Sequence, residues 1–91
     1  MNAPPLLCGL DVHRIGSSYG AIVDEFGNVV QEKRMSNDSI LEFVGLHHPT
    51  RVAMEASPSI TTIYRKLVRE GYDMLVSHPT KTRLIGVKDQ D

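Results

Sequence analysis

An α/β fold built on a mixed five-stranded sheet is predicted by three features of this 91-residue sequence. Ile60, Ile63, Tyr64, Leu67 and Val68 recur at the spacing of one helical face, the stripe an amphipathic helix buries. Short apolar runs of strand length, Leu6 to Val12, Arg51 to Ala56 and Asp73 to Ser77, surround that helix. Gly27-Asn28 separates two further strand-like segments, and both residues tolerate the positive φ of a hairpin turn. The resulting order is β-β-β-α-β-α-β. Hairpin-joined strands followed by βαβ crossovers give antiparallel and parallel pairing in one sheet.

Each element has a local cause. Residues 1–5 are expected to be a disordered lead-in, because Pro4 and Pro5 deny backbone donors to a sheet. Leu6 to Val12 is too short for a helix and reads as a buried strand ending on Asp11. Ser17 to Asp24 alternates as a second strand, and Val29 to Met35 follows the turn as a third. The charged stretch Gln31-Glu32-Lys33-Arg34 suits a sheet edge. Ser36-Asn37-Asp38-Ser39 offers several N-caps to a helix carrying Ile40, Leu41, Phe43 and Val44, expected to stop near Gly45. Ser57-Pro58 is a cap followed by a first-turn proline, and Gly71 stands where the second helix should end.

Composition narrows the function classes. Hydrophobic residues at 41% and charged residues at 23% describe an ordinary folded chain, one small domain or part of a larger protein. A formal net charge of −1 excludes the overall basic signature of a histone-like nucleic-acid binder. Cys8 is the single cysteine and sits in an apolar run, so a reducing, cytoplasmic compartment is expected. No apolar run approaches the roughly 18 residues of a membrane span, and no membrane partner is expected.

Two acids occupy positions where strands disfavour them. Asp11 ends the first apolar strand and Glu55 closes the fourth. A central strand flanked by helices on both faces would bury them, at a cost of several kcal/mol unless they are paired. If these strands are parallel neighbours, both acids emerge at one carboxyl edge of the sheet. Converging carboxylates call for a divalent cation, and oxygen-only ligands favour Mg²⁺ or Mn²⁺. Taken singly, each acid also reads as a cap or an ion-pair partner, although Ser57 already supplies the cap beside Glu55.

These segments together resemble a known family. Gly9-Leu10-Asp11-Val12-His13, Ala21-Ile22-Val23-Asp24 with Gly27, and Val52-Ala53-Met54-Glu55-Ala56-Ser57 resemble the N-terminal domain of IS110-type (DEDD) transposases. Tyr64-Arg65-Lys66-Leu67, Glu70-Gly71-Tyr72 and His78-Pro79-Thr80-Lys81-Thr82-Arg83 continue the likeness, which runs from about Leu7 to Lys88 in the family's order. The resemblance implies an RNase H-like (RuvC-like) domain over residues 6–91. It further implies a Mg²⁺- or Mn²⁺-dependent site of four acids, acting on DNA phosphodiesters in transposition of an insertion element. Asp11 and Glu55 match the first two acids. The other two belong to a Lys-Thr-Asp-x-x-Asp pattern that Lys88-Asp89-Gln90-Asp91 does not complete: Asp91 is the first of that pair, or the pair lies wholly beyond it. The domain is therefore expected to be incomplete and inactive by itself, with marginal stability or self-association. An element-encoded guide RNA joins DNA among the implied partners, and the working location would be the nucleoid.

Charge distribution fits nucleic acid. Residues 60–88 hold six cations against two acids, a local +4, whereas residues 1–59 carry a local −3. Lys81, Arg83 and Lys88 are candidate phosphate contacts. Arg65, Lys66 and Arg69 read equally well as a solvated helix face. His13, two residues beyond Asp11, points to the same side and is a further nucleic-acid-binding candidate. His47 and His48 lack a matching Cys or His pair for zinc, and Ser57 and Ser59 lack the partners of a nucleophile. Two other readings compete. An actin-like ATPase or sugar kinase also opens with an early Asp, but it needs a Gly/Ser/Thr-rich phosphate loop where Val12-His13-Arg14-Ile15 stands. A non-catalytic nucleic-acid-binding remnant is the other.

Overall fold

Alternation along the strands decides the architecture. The structure, a computed structural model, describes residues 5–78. Five strands form: β1 (Leu6–Asp11), β2 (Ser18–Asp24), β3 (Val29–Met35), β4 (Arg51–Glu55) and β5 (Asp73–Ser77). Two helices, α1 (Ile40–His47) and α2 (Thr61–Arg69), each follow a short 3-10 turn, Asn37–Ser39 and Pro58–Ile60 respectively. The sheet order is β3-β2-β1-β4-β5. β1 runs antiparallel to β2 and parallel to β4, so the mixed sheet expected from the sequence is present. β2 pairs antiparallel with β3, and β4 parallel with β5.

Inward-facing residues of every strand and the apolar stripes of both helices form one core. Cys8, Ile22, Ile40, Val44, Val52 and Leu67 are its most deeply buried members. Because side chains alternate along a strand, Leu7, Gly9 and Asp11 of β1 face the other way and are exposed. The same holds for Arg51 and Glu55 of β4. This corrects the expectation of a sheet covered on both faces: among the described residues, α1 and α2 share one core and leave the opposite face open.

Local chemistry departs from expectation in three places. None of Ser36, Asn37 or Ser39 caps α1 through its side chain; a 3-10 turn leads into the helix instead. α1 also runs past Gly45 to His47, where His48 takes the left-handed conformation (φ 47°) and returns its N–H to the Val44 carbonyl at 3.0 Å. Along α2 the buried stripe is narrower than its spacing suggests. Ile63 and Leu67 are buried, while Tyr64 and Val68 lie exposed on the flank. Elsewhere the sequence logic holds. Ser57 Oγ accepts from Ser59 N at 3.3 Å, and Gly71 (φ 93°) ends α2. The β2–β3 turn is organised by Asp24, whose carboxylate accepts from the backbone N–H groups of Phe26 and Asn28, each at 2.9 Å. These bonds, led by those from Asn28, hold the Asp24 carboxyl below the usual range.

Candidate functional site

The register of β1 against β4 ends at Leu10 opposite Met54. Asp11 and Glu55 take the next position on each strand. Both are exposed, and both lie on the open face at the carboxyl edge of two parallel neighbours. Strand spacing of about 4.8 Å sets the scale of their backbone separation. On either side, Asp11 pairs with Tyr19 of β2, Tyr19 with Arg34 of β3, and Glu55 with Ser77 of β5. A polar row therefore crosses the sheet in the order Arg34, Tyr19, Asp11, Glu55, Ser77. The next row inward is small at its centre, Ala21, Gly9 and Ala53. Small floor and larger rim make a shallow depression of about 390 Å³ lined by Asp11, Glu55, Tyr19 and Ser77.

His13 belongs to this edge. Its Nε2 lies 3.1 Å from Asp11 Oδ2, which bears out the expectation that the two side chains point together. The backbone of His13 is fixed at both polar atoms. Its N–H donates to Ser18 Oγ at 2.9 Å, and its carbonyl accepts from Asn37 Nδ2 at 2.8 Å. Ser18 Oγ in turn donates to Asn37 Oδ1. Ser18 is 1% exposed, so this triangle is a polar lock built on one buried hydroxyl, between the loop after β1 and the turn before α1. Ser18 carries no role in the sequence reading, and Asn37 reads there as a helix cap rather than as a partner of Ser18 and His13. The available signal was Ser18 at an inward position of an alternating strand, where a hydroxyl needs a partner. Tyr19 was likewise passed over; its hydroxyl donates to Glu32 Oε2, and that bond pushes its own ionisation upward.

Asp11 and Glu55 suit a hard divalent cation through their oxygen donors and open placement, since Mg²⁺ is commonly held by one or two carboxylates plus water and substrate phosphate. Among the described residues, no three His, Cys, Asp or Glu side chains gather into a metal-holding group. Asp91, Lys81, Arg83 and Lys88 lie outside the described residues. The arrangement defines a class: an α/β domain presenting an exposed carboxylate pair at the carboxyl edge of parallel strands. Comparison with protein-family models, with characterised proteins and with solved structures gives no match. Among the described residues, no helix is long and apolar enough to cross a membrane.

Proposed function

We propose that this chain is the N-terminal nuclease-type portion of an IS110-type (DEDD) transposase, with an RNase H-like fold. In this reading it binds DNA and contributes Asp11 and Glu55 as metal ligands for phosphodiester cleavage and strand transfer. The observation that carries the reading is the placement of these two acids side by side, each one position past the Leu10–Met54 pair on adjacent parallel strands, both open to solvent. The order of strands and helices agrees with the fold the resemblance implies. A bound Mg²⁺ or Mn²⁺ supplies activation of water and stabilisation of the leaving oxygen. The chain's own residues supply the rest. Asp11 and Glu55 offer oxygen donors from two rigid strands, and the Ser18–Asn37 lock fixes the backbone that carries His13 beside Asp11. Two of the four implied acids fall within the described residues, so the 91-residue chain is tested by binding rather than by turnover.

Titration with Mg²⁺ and Mn²⁺, followed by NMR, is expected to perturb Asp11 and Glu55 together. Asp11→Asn and Glu55→Gln should each abolish both perturbations. No perturbation at either residue would overturn the proposal, as would binding that survives one of the two substitutions intact.

A further inference from the structure

We propose that Tyr19 is a stacking platform for an unpaired nucleobase, which makes the substrate of the carboxylate site single-stranded or locally unpaired nucleic acid. This rests on the functional reading above and deepens it. Tyr19 is half-buried on the open sheet face and directly opposite Asp11 in the β1–β2 register. Its hydroxyl is tied to Glu32 on β3, two residues inward from its own partner Arg34 and on the same face, so the ring leans across the strands in a set orientation. A ring held by its far end loses little freedom when a base settles on it, and every base has a face that stacks.

The surroundings fit one nucleotide. Beside the ring the floor is reduced to Ala21 and Gly9, leaving depth where larger side chains would fill the depression. Arg34 lies next to Tyr19 on the edge strand, exposed, and among the described residues it forms no ion pair with a carboxylate. Guanidinium on one side and carboxylates on the other divide the rim into a place for a flanking phosphate and a place for a cation-bridged one. A base inside a duplex has both faces covered by its neighbours. Only an unpaired base can exchange that stacking for the tyrosine ring.

The test uses the 91-residue chain with short oligothymidylate and a duplex of equal length, in the presence of Ca²⁺. Single-stranded affinity should exceed duplex affinity. Tyr19→Ala should weaken the single strand about tenfold, while Tyr19→Phe should stay within about threefold of wild type. Tyr64→Ala, on α2 and not among the residues lining the carboxylate depression, should change nothing. In wild type, the Tyr19 ring resonances should shift upfield on addition of oligothymidylate. Unchanged affinity in Tyr19→Ala with intact cation shifts at Asp11 and Glu55 would overturn the platform and leave the metal reading standing. Ring shifts without any cation response would uphold the platform while the metal reading fails. Should Tyr19→Ala not fold, unmoved ring resonances in wild type would overturn the proposal.

Discussion

Substituting Gly20 and Gly9 by alanine, one at a time, asks which face of the sheet is packed, and therefore whether the carboxylate face is available to a substrate. Gly20 on β2 pairs with Leu10 of β1, and Gly9 on β1 pairs with Ala21 of β2, but the two glycines face opposite ways. A Cβ on Gly20 would meet the Phe43 ring at 2.8 and 3.1 Å and the Met35 terminal methyl at 3.0 Å. Ordinary carbon contacts lie at about 3.5–4.0 Å, so the shortfall is at least about 0.4 Å for every one of these atoms. Met35 can swing its methyl aside. Phe43 is 4% exposed and its ring has little room to retreat. Overpacking of this kind costs about 1–3 kcal/mol. At Gly9 the same methyl meets nothing within 4 Å. Losing a strand glycine's extra unfolded-state freedom is then the main effect, a gain of about 0.5–1 kcal/mol.

Urea denaturation with a shared slope separates the two outcomes, because the midpoint should fall for Gly20→Ala and rise slightly for Gly9→Ala. Thermal midpoints should move the same way, by about 4–8 °C per kcal/mol for a domain of this size. Adding Phe43→Leu to Gly20→Ala should recover part of the loss. Equal stability of Gly20→Ala and wild type would refute the placement of α1 on β2. Destabilisation of Gly9→Ala by more than about 1 kcal/mol would refute an open face.

Three further outcomes follow from named groups. Asn37→Ala should lower stability by about 1–3 kcal/mol by leaving the buried Ser18 hydroxyl and the His13 carbonyl short of partners, and NMR should show the His13 ring released from Asp11; unchanged His13 shifts would contradict the lock. The Asp24 carboxyl is held low, so its contribution is present above its ordinary value of 3.8 and is lost as pH falls through the lower folded value. Asp24→Ala should flatten that acid limb of stability against pH, which denaturation between pH 2 and about 5 reads directly. Burial pushes the Cys8 thiol up from 9.0 to about 12, so the folded state holds its proton and stability declines as pH rises across that interval. Alkylation of Cys8 at neutral pH should proceed only through opened or unfolded molecules, and rapid labelling of the native chain would contradict its burial.

Much of this was legible because it is local. Strand lengths, the Ser57-Pro58 start of the α2 segment and the Gly27 turn each follow from a few neighbouring residues, and the placement of Asp11 and Glu55 follows once β1 and β4 are parallel neighbours. What escaped was tertiary in origin. Asn37 has the chemistry of a cap, yet Ser18, 19 residues earlier, recruits its side chain. Gly45 has the chemistry of a helix end, yet continued packing of α1 carries the stop to His48. Apolarity of β1 and β4 suggested burial on both faces, whereas Gly9, Ala53 and Leu7 contribute that apolarity on the open side, where small residues make a floor rather than a core.

The exposure of the acids changes how a cation would be retained. Had the pair been buried, desolvation would have made the cation a near-requirement of folding. In water, two unit charges at the strand spacing of about 4.8 Å repel by only about 0.9 kcal/mol. The fold tolerates that without a cation, and by the same measure the carboxylates attract one only weakly, since each keeps its own water. Affinity must then come from additional oxygens, and in the proposed site a substrate phosphate is the available source. Cation and nucleic acid should therefore bind with positive and reciprocal coupling. Mg²⁺ titrated calorimetrically into the chain should bind at least fivefold more tightly when saturating single-stranded oligonucleotide is present, and the oligonucleotide should gain by the same factor. Glu55→Gln should remove the coupling while leaving base stacking on Tyr19. Identical Mg²⁺ affinity with and without the strand would show that the carboxylate pair and the tyrosine do not serve one substrate.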